Sequence, residues 1–184
     1  MRRLVLVRHA KAEGAHPRGD HERGLVAEGV AAAVDLGRWL AGQQLHPDHV
    51  TVSTAERARA THAALARGLA DDGSGSPGEP DVAAAVRSLW QDRRVYDGGV
   101  DGVLAAVAET PEDARVLWVV GHEPVMTTTA WELTQTTQLP SELRRELSRG
   151  LPTATAAVLE TQDEWAELGF GGARLVALHT GRAD

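Results

Sequence analysis

Short apolar runs alternate with amphipathic stretches along the chain, and this alternation predicts an α/β fold: a three-layer sandwich with a mainly parallel central sheet flanked by helices. Three observations carry the prediction. Residues 3–7 and 115–120 are compact runs rich in Val and Leu, as buried strands are. Residues 26–43 repeat their apolar positions at spacings of three and four, which is helical periodicity with one apolar face. Gly- and Pro-rich stretches separate the elements.

Taken in order, residues 3–7 form the first strand. Residues 10–24 hold Gly, Pro, His and charges without periodicity, so they read as a loop. The helix over 26–43 follows, with Val26, Val30, Ala33, Gly37 and Leu40 on its apolar face. Residues 50–53 are a second short strand, and the Ala- and Arg-rich stretch 55–69 suits a helix. DDGSGSPGEP, residues 71–80, reads as a linker or exposed loop. Residues 82–86 are a weaker strand and 100–108 a helix. RVLWVV, residues 115–120, is a strong buried strand. Residues 124–135 suit a helix, and 140–151 a further helical excursion. Residues 153–160 and 174–179 are two late strands, able to pair through a turn that contains Gly169, Gly171 and Gly172.

The chain has 184 residues, which suits one domain over 1–184. Aromatic residues make up only 4%, so Ala, Val and Leu must fill the core. There is no cysteine, which excludes disulfides, thiolate metal sites and a cysteine nucleophile. The apolar run 4–7 is too short for a signal peptide or a membrane span, and the expected location is cytoplasmic, away from membranes. The formal net charge is −7 and no long basic block occurs, which argues against general nucleic-acid binding. An anion can then be held only by a local cluster of Arg and His.

In a parallel α/β sheet, ligands collect at the carboxyl ends of the strands. That rule singles out Arg8-His9 after the first strand, Ser53 to Arg57 after the second, and Gly121-His122 after RVLWVV. Alone, each has a bland reading as a polar strand end or a solvated side chain. Together they form a set suited to phosphoryl transfer, which needs a nucleophile, fixed positive charge and in-line geometry. A neutral imidazole is a competent nucleophile near neutral pH. Guanidinium groups grip phosphate oxygens with paired hydrogen bonds. A second histidine, if protonated, adds charge and a donor. The set calls for no metal and no cofactor.

Several stretches also resemble a known family. LVLVRHAKAE is similar to the strand-plus-RHG signature of the histidine phosphatase superfamily. STAERARAT, from Ser53, resembles its S-P-x-x-R-A-x-x-T stretch, and VVGHEP, from Val119, its V-G-H-N-P stretch. DHERGLVAEG, DRRVYDGG and LPTATAAVLE resemble segments of the small SixA-type phosphohistidine phosphatases. The resemblance implies a phosphoglycerate mutase-like fold and a phosphohistidine intermediate on His9, with Arg8, Arg57 and His122 around the phosphoryl group. Ala10 stands where the signature has Gly, Thr54 where it has Pro, and Glu123 where it has Asn. Ala tolerates a positive φ poorly, so Ala10 tests the loop geometry. Glu123 is expected to face solvent and support the start of the next helix.

Many superfamily members protonate the departing oxygen with a glutamate, and residues 82–99 contain none; Gln91 sits there instead. Asp20 and Asp97 are the substitutes on offer, but each reads first as a structural or solvated carboxylate. The absence favours a phosphoramidate or activated phosphate over a plain sugar phosphate. The expected partner is therefore a phosphorylated protein, with a small phosphorylated molecule as the alternative and a silent phosphate-binding module as a third reading. Residues 137–150 could supply a small cap. Arg23 is a further substrate contact or else the ion-pair partner of Asp20 or Glu22. His16 and His21 are expected to be exposed, and make no zinc site. Trp118 reads as core and Trp39 as helix packing. His62 and His179 have no evident partner.

Overall fold

The computed structural model describes residues 1–71, 88–134 and 139–183. Among these, six strands form one sheet: β1 (Arg2–Arg8), β2 (His49–Ser53), β3 (Ser88–Asp92), β4 (Val116–Gly121), β5 (Thr155–Thr161) and β6 (Ala173–Thr180). The helices are α1 (Ala27–Gly42), α2 (Glu56–Ala70), a single turn α3 (Arg94–Asp97), α4 (Gly99–Ala108), α5 (Val125–Leu133) and α6 (Ser141–Leu147). The strand order is β3-β2-β4-β1-β5-β6. Strands β3, β2, β4 and β1 are parallel, and β5 runs antiparallel between β1 and β6. This is the expected mainly parallel three-layer sandwich.

Alternation along each strand feeds two cores. Leu4, Leu6, Leu117 and Val119 pack against Val103 and Val107 of α4 and Met126, Ala130 and Leu133 of α5. On the opposite face, Val5, Val7, Val50, Val52, Trp118 and Val120 pack against Leu36 and Leu40 of α1 and Leu65 and Leu69 of α2. Trp118 is fully buried, and its indole N–H donates to the Leu45 carbonyl at 3.0 Å. Helices α1 and α2 touch backbone to backbone. A Cβ on Gly37 would lie 2.2 Å from the Leu65 carbonyl oxygen, and one on Gly68 would lie 2.0 Å from that of Val34. Only glycine permits that approach.

Several expectations need correction. Strand β3 and the turn α3 have no counterpart in the periodicity. Strand β3 is a sheet edge with Leu89, Trp90 and Gln91 exposed, so pairing with β2 imposes the strand where no alternation signals it. The helical excursion 140–151 is shorter: α6 stops at Leu147, and Gly150, at φ 79°, turns the chain. The 10–24 loop holds a 3-10 turn, Asp20–Glu22. The weaker strand at 82–86 and most of the 71–80 segment lie outside the described residues. Trp39 does pack, but by stacking on His179, with ring centroids 4.3 Å apart and planes 5° from parallel.

Candidate active site

The parallel strands end along one edge of the sheet, and the pairing register brings two of the expected groups together there. Arg8, the last residue of β1, stands opposite Gly121, the last of β4. The His9 amide extends the ladder one step by donating to the Gly121 carbonyl at 3.0 Å. His9 and His122 thereby become neighbours, with ring centroids 5.1 Å apart. Ser53 ends β2, and Arg57 sits in the first turn of α2 just beyond it.

The hydrogen bonds fix the state of His9. Its Nδ1 lies 2.8 Å from the Ala10 carbonyl oxygen, which can only accept, so Nδ1 carries the proton. The lone pair is then on Nε2, where the Arg57 Nε–H donates to it at 3.3 Å. Burial is the largest cause lowering the His9 pKa to about 4; the charges of Arg57, Arg8 and Arg23 add to it, and the Ala10 hydrogen bond opposes it. Thr61 braces the turn: its Oγ1 accepts the Ala10 amide at 2.9 Å and donates to the Arg57 carbonyl at 2.6 Å. Ala10 is fully buried and lies outside the positive-φ positions, so alanine fits where the signature has glycine.

His122 is also buried and neutral. Burial, then the charges of His9 and Arg57, lower its pKa to about 3. Its Nε2 is 2.7 Å from the Ser53 Oγ, which also accepts the Ala55 amide at 3.3 Å. Either atom can donate in this contact, so it admits both tautomers; with the serine hydrogen on Nε2, Nδ1 carries the N–H. That Nδ1 is buried without a partner. In the empty site His122 is thus a neutral imidazole.

Arg57 is buried, and each of its three nitrogens donates one hydrogen bond. Nη1 donates to the Asp20 carbonyl at 2.7 Å and Nη2 to its Oδ2 at 3.0 Å. Arg8 Nη1 donates to the Leu151 carbonyl at 2.7 Å. Arg23 forms the ion pair weighed for it, Nε to Asp20 Oδ1 at 2.9 Å, and Nη1 reaches the Glu13 carbonyl at 2.7 Å. Tyr96 donates to Asp20 Oδ2 at 3.2 Å. Burial works to raise the Asp20 pKa, but the charge of Arg57 and the hydrogen bonds from Arg57, Arg23 and Tyr96 outweigh it, so the carboxyl stays below its ordinary range. Asp97 is at the surface with Arg93, 2.9 Å away. His9, Arg57 and His122 are brought together; Arg8 acts on His9 through its charge, and Arg23 reaches the site through Asp20.

The remaining expectations divide. Glu123 points back into α5, where it accepts from Thr127 Oγ1 at 2.7 Å. His21 is half-buried, not exposed: it contacts Thr54 Oγ1 at 3.0 Å and meets Tyr96 edge-on. His16 is half-buried too. His62 is buried with its Nε2 unpaired. Thr61 and Tyr96 were not singled out by the sequence, and Ser53 only as the start of the Ser53 to Arg57 stretch, without a role; all lie in the stretches that resemble the family. Among the described residues, no three His, Asp or Glu side chains are placed to share a metal ion.

Residues 4–73 match the profile of the histidine phosphatase superfamily (branch 1). Over 178 residues the chain is 31% identical to an uncharacterized protein of Mycobacterium tuberculosis, spanning 96% of this chain and 100% of that one. The chain belongs to the histidine phosphatase superfamily. Within that superfamily it is similar to the structure of a candidate phosphohistidine phosphatase SixA from Nakamurella multipartitia: 36% identity, TM-score 0.77, 98% of this chain and 96% of that one. A second candidate SixA, from Agrobacterium tumefaciens, is 26% identical with TM-score 0.73, over 97% of each chain. The superfamily match covers Arg8, His9, Arg23 and Arg57, while His122 lies beyond it. Among the described residues, no helix is long and apolar enough to cross a membrane.

Proposed function

We propose that this histidine phosphatase carries a phosphoryl group on His9 and that its substrate is phosphohistidine in a protein. The observation that carries the reading is the state of His9: a neutral ring, its Nδ1 proton tied to a carbonyl, its Nε2 lone pair against Arg57. In the reaction that lone pair forms the new N–P bond. Arg8 and Arg57 neutralise the equatorial oxygens, and His122 donates from Nδ1. With its proton there, the unpartnered Nδ1 is satisfied only when the anion arrives, so its bond strengthens toward the transition state. Water then attacks phosphorus, forming a P–O bond as the N–P bond breaks; the electron pair returns to Nε2, and the protons of the water leave with inorganic phosphate.

The leaving group decides the substrate. An ionised Asp20 has no proton for an alkoxide, and Asp97 is occupied at the surface. An imidazole departs with less help than an alkoxide, which supports a phosphoramidate. The names of the two SixA candidates at 36% and 26% identity agree with this.

A side-by-side comparison on a phosphohistidine peptide and a panel of phosphate monoesters tests the reading, with rapid quenching to trap the phosphoenzyme and His9→Ala as control. Faster turnover of the phosphohistidine peptide is expected, with both activities lost in His9→Ala. Equal or better rates on ordinary monoesters would favour a small-molecule phosphatase. No turnover of either by folded protein would leave a phosphate-binding module.

A further inference from the structure

We propose that Asp20 is the leaving-group residue of this site: its carboxylate accepts the free ring N–H of a protonated phosphoimidazole while His9 takes the phosphoryl group. This rests on the phosphohistidine reading above and adds the group that recognises the departing ring.

Position is the first argument. One guanidinium holds both partners: Arg57 Nε faces His9 Nε2 at 3.3 Å, while Nη2 and Nη1 hold Asp20 Oδ2 and its carbonyl at 3.0 and 2.7 Å. The nucleophile and the carboxylate therefore sit on neighbouring N–H groups of one guanidinium. Capacity is the second. An ionised carboxylate offers about four acceptor positions. Oδ2 takes Arg57 Nη2 and the Tyr96 hydroxyl, and Oδ1 takes Arg23 Nε. One position on Oδ1 is left, and the Asp20 side chain is 55% exposed, so a substrate can reach it. Shape is the third. The Tyr96 ring stands edge-on to His122 at 5.5 Å and to His21 at 5.0 Å, which builds an aromatic wall beside the carboxylate suited to a flat ring.

Charge then separates substrate classes. A fixed anion beside the phosphoryl group repels the negative charge that grows on a departing alkoxide. For a phosphoimidazole protonated on its other nitrogen, the same anion stabilises the positive ring. The His9 Nε2 lone pair forms the new N–P bond. The substrate N–P bond breaks, and its electron pair stays on the ring nitrogen. The ring, already protonated on the remote nitrogen, leaves as neutral imidazole, so the enzyme supplies no proton.

The experiment compares kcat/KM for a phosphohistidine peptide with kcat/KM for p-nitrophenyl phosphate, in the wild type and in Asp20→Asn. Expected is a fall of at least about tenfold in the ratio of the two constants. Asp20→Glu, which keeps the charge, should recover part of it. Equal losses on both substrates would overturn the proposal, because Asp20 would then act only by positioning Arg57. A wild type active on the monoester and inert on phosphohistidine would instead strike the substrate reading itself. Independently of any variant, imidazole should inhibit the wild type more strongly as pH falls from about 8 to about 6, as the imidazolium form appears. A flat or opposite trend would count against Asp20 as its partner.

Discussion

Acidification examines the nucleophile directly. A histidine of ordinary pKa, near 6.5, is about nine-tenths protonated at pH 5.5. With its pKa lowered to about 4, His9 remains about 97% neutral at the same pH. Ring-nitrogen NMR, with His9→Ala to assign the signals, should show a proton on Nδ1, a lone pair on Nε2 and a midpoint near 4. Stability follows with a definite sign. As pH falls below about 6.5 the unfolded chain takes up a proton at this position while the folded chain does not, so stability declines through the window down to about 4. The shift of about 2.5 pH units corresponds to roughly 3 kcal/mol before solvent screening of this partly exposed ring. Denaturant titrations at several pH values should show that decline, reduced in His9→Ala. A midpoint near 6.5, or a proton on Nε2, would refute the argument that burial and the Ala10 carbonyl set the nucleophile.

Three further outcomes are expected. Arg57→Ala should lower kcat by at least about a hundredfold, and, since it also ties down Asp20, should cost roughly 1–3 kcal/mol in denaturant melts; unchanged kinetics would remove Arg57 from the phosphoryl site. Ser53→Ala should shift the His122 tautomer seen by NMR toward Nε2–H and slow turnover by about tenfold or more, because the Nδ1 donor is lost; an unmoved tautomer would mean Ser53 does not set it. Gly68→Ala should push α1 and α2 apart at a cost of about 1–3 kcal/mol, read as a lower Tm with the phosphatase chemistry per folded molecule intact.

Much of this was legible because strands and chemistry coincide. The runs ending at Arg8, Ser53 and Gly121 are apolar enough to be placed from composition, and parallel pairing then forces their polar ends onto one edge. Strand β3 was hidden because an exposed edge needs no alternation, only a partner. The role of Ser53 was hidden for a different reason. A small hydroxyl at a strand end carries no pattern, and its link to His122 spans 69 positions. Asp20 could be named as a carboxylate near the site, but its ionised state depends on Arg57, Arg23 and Tyr96 converging from three segments. The Trp39–His179 stack likewise joins two segments far apart in the chain.

The guanidinium at position 57 is a staple as well as a reagent. It pins the 10–24 segment, through the main chain and side chain of residue 20, to the same helix turn that presents it to the imidazole at position 9. Tightening that staple and tuning the chemistry are therefore one and the same change. A homologue that lengthens or re-routes this segment must find another anchor for it, or accept a looser grip on the phosphate.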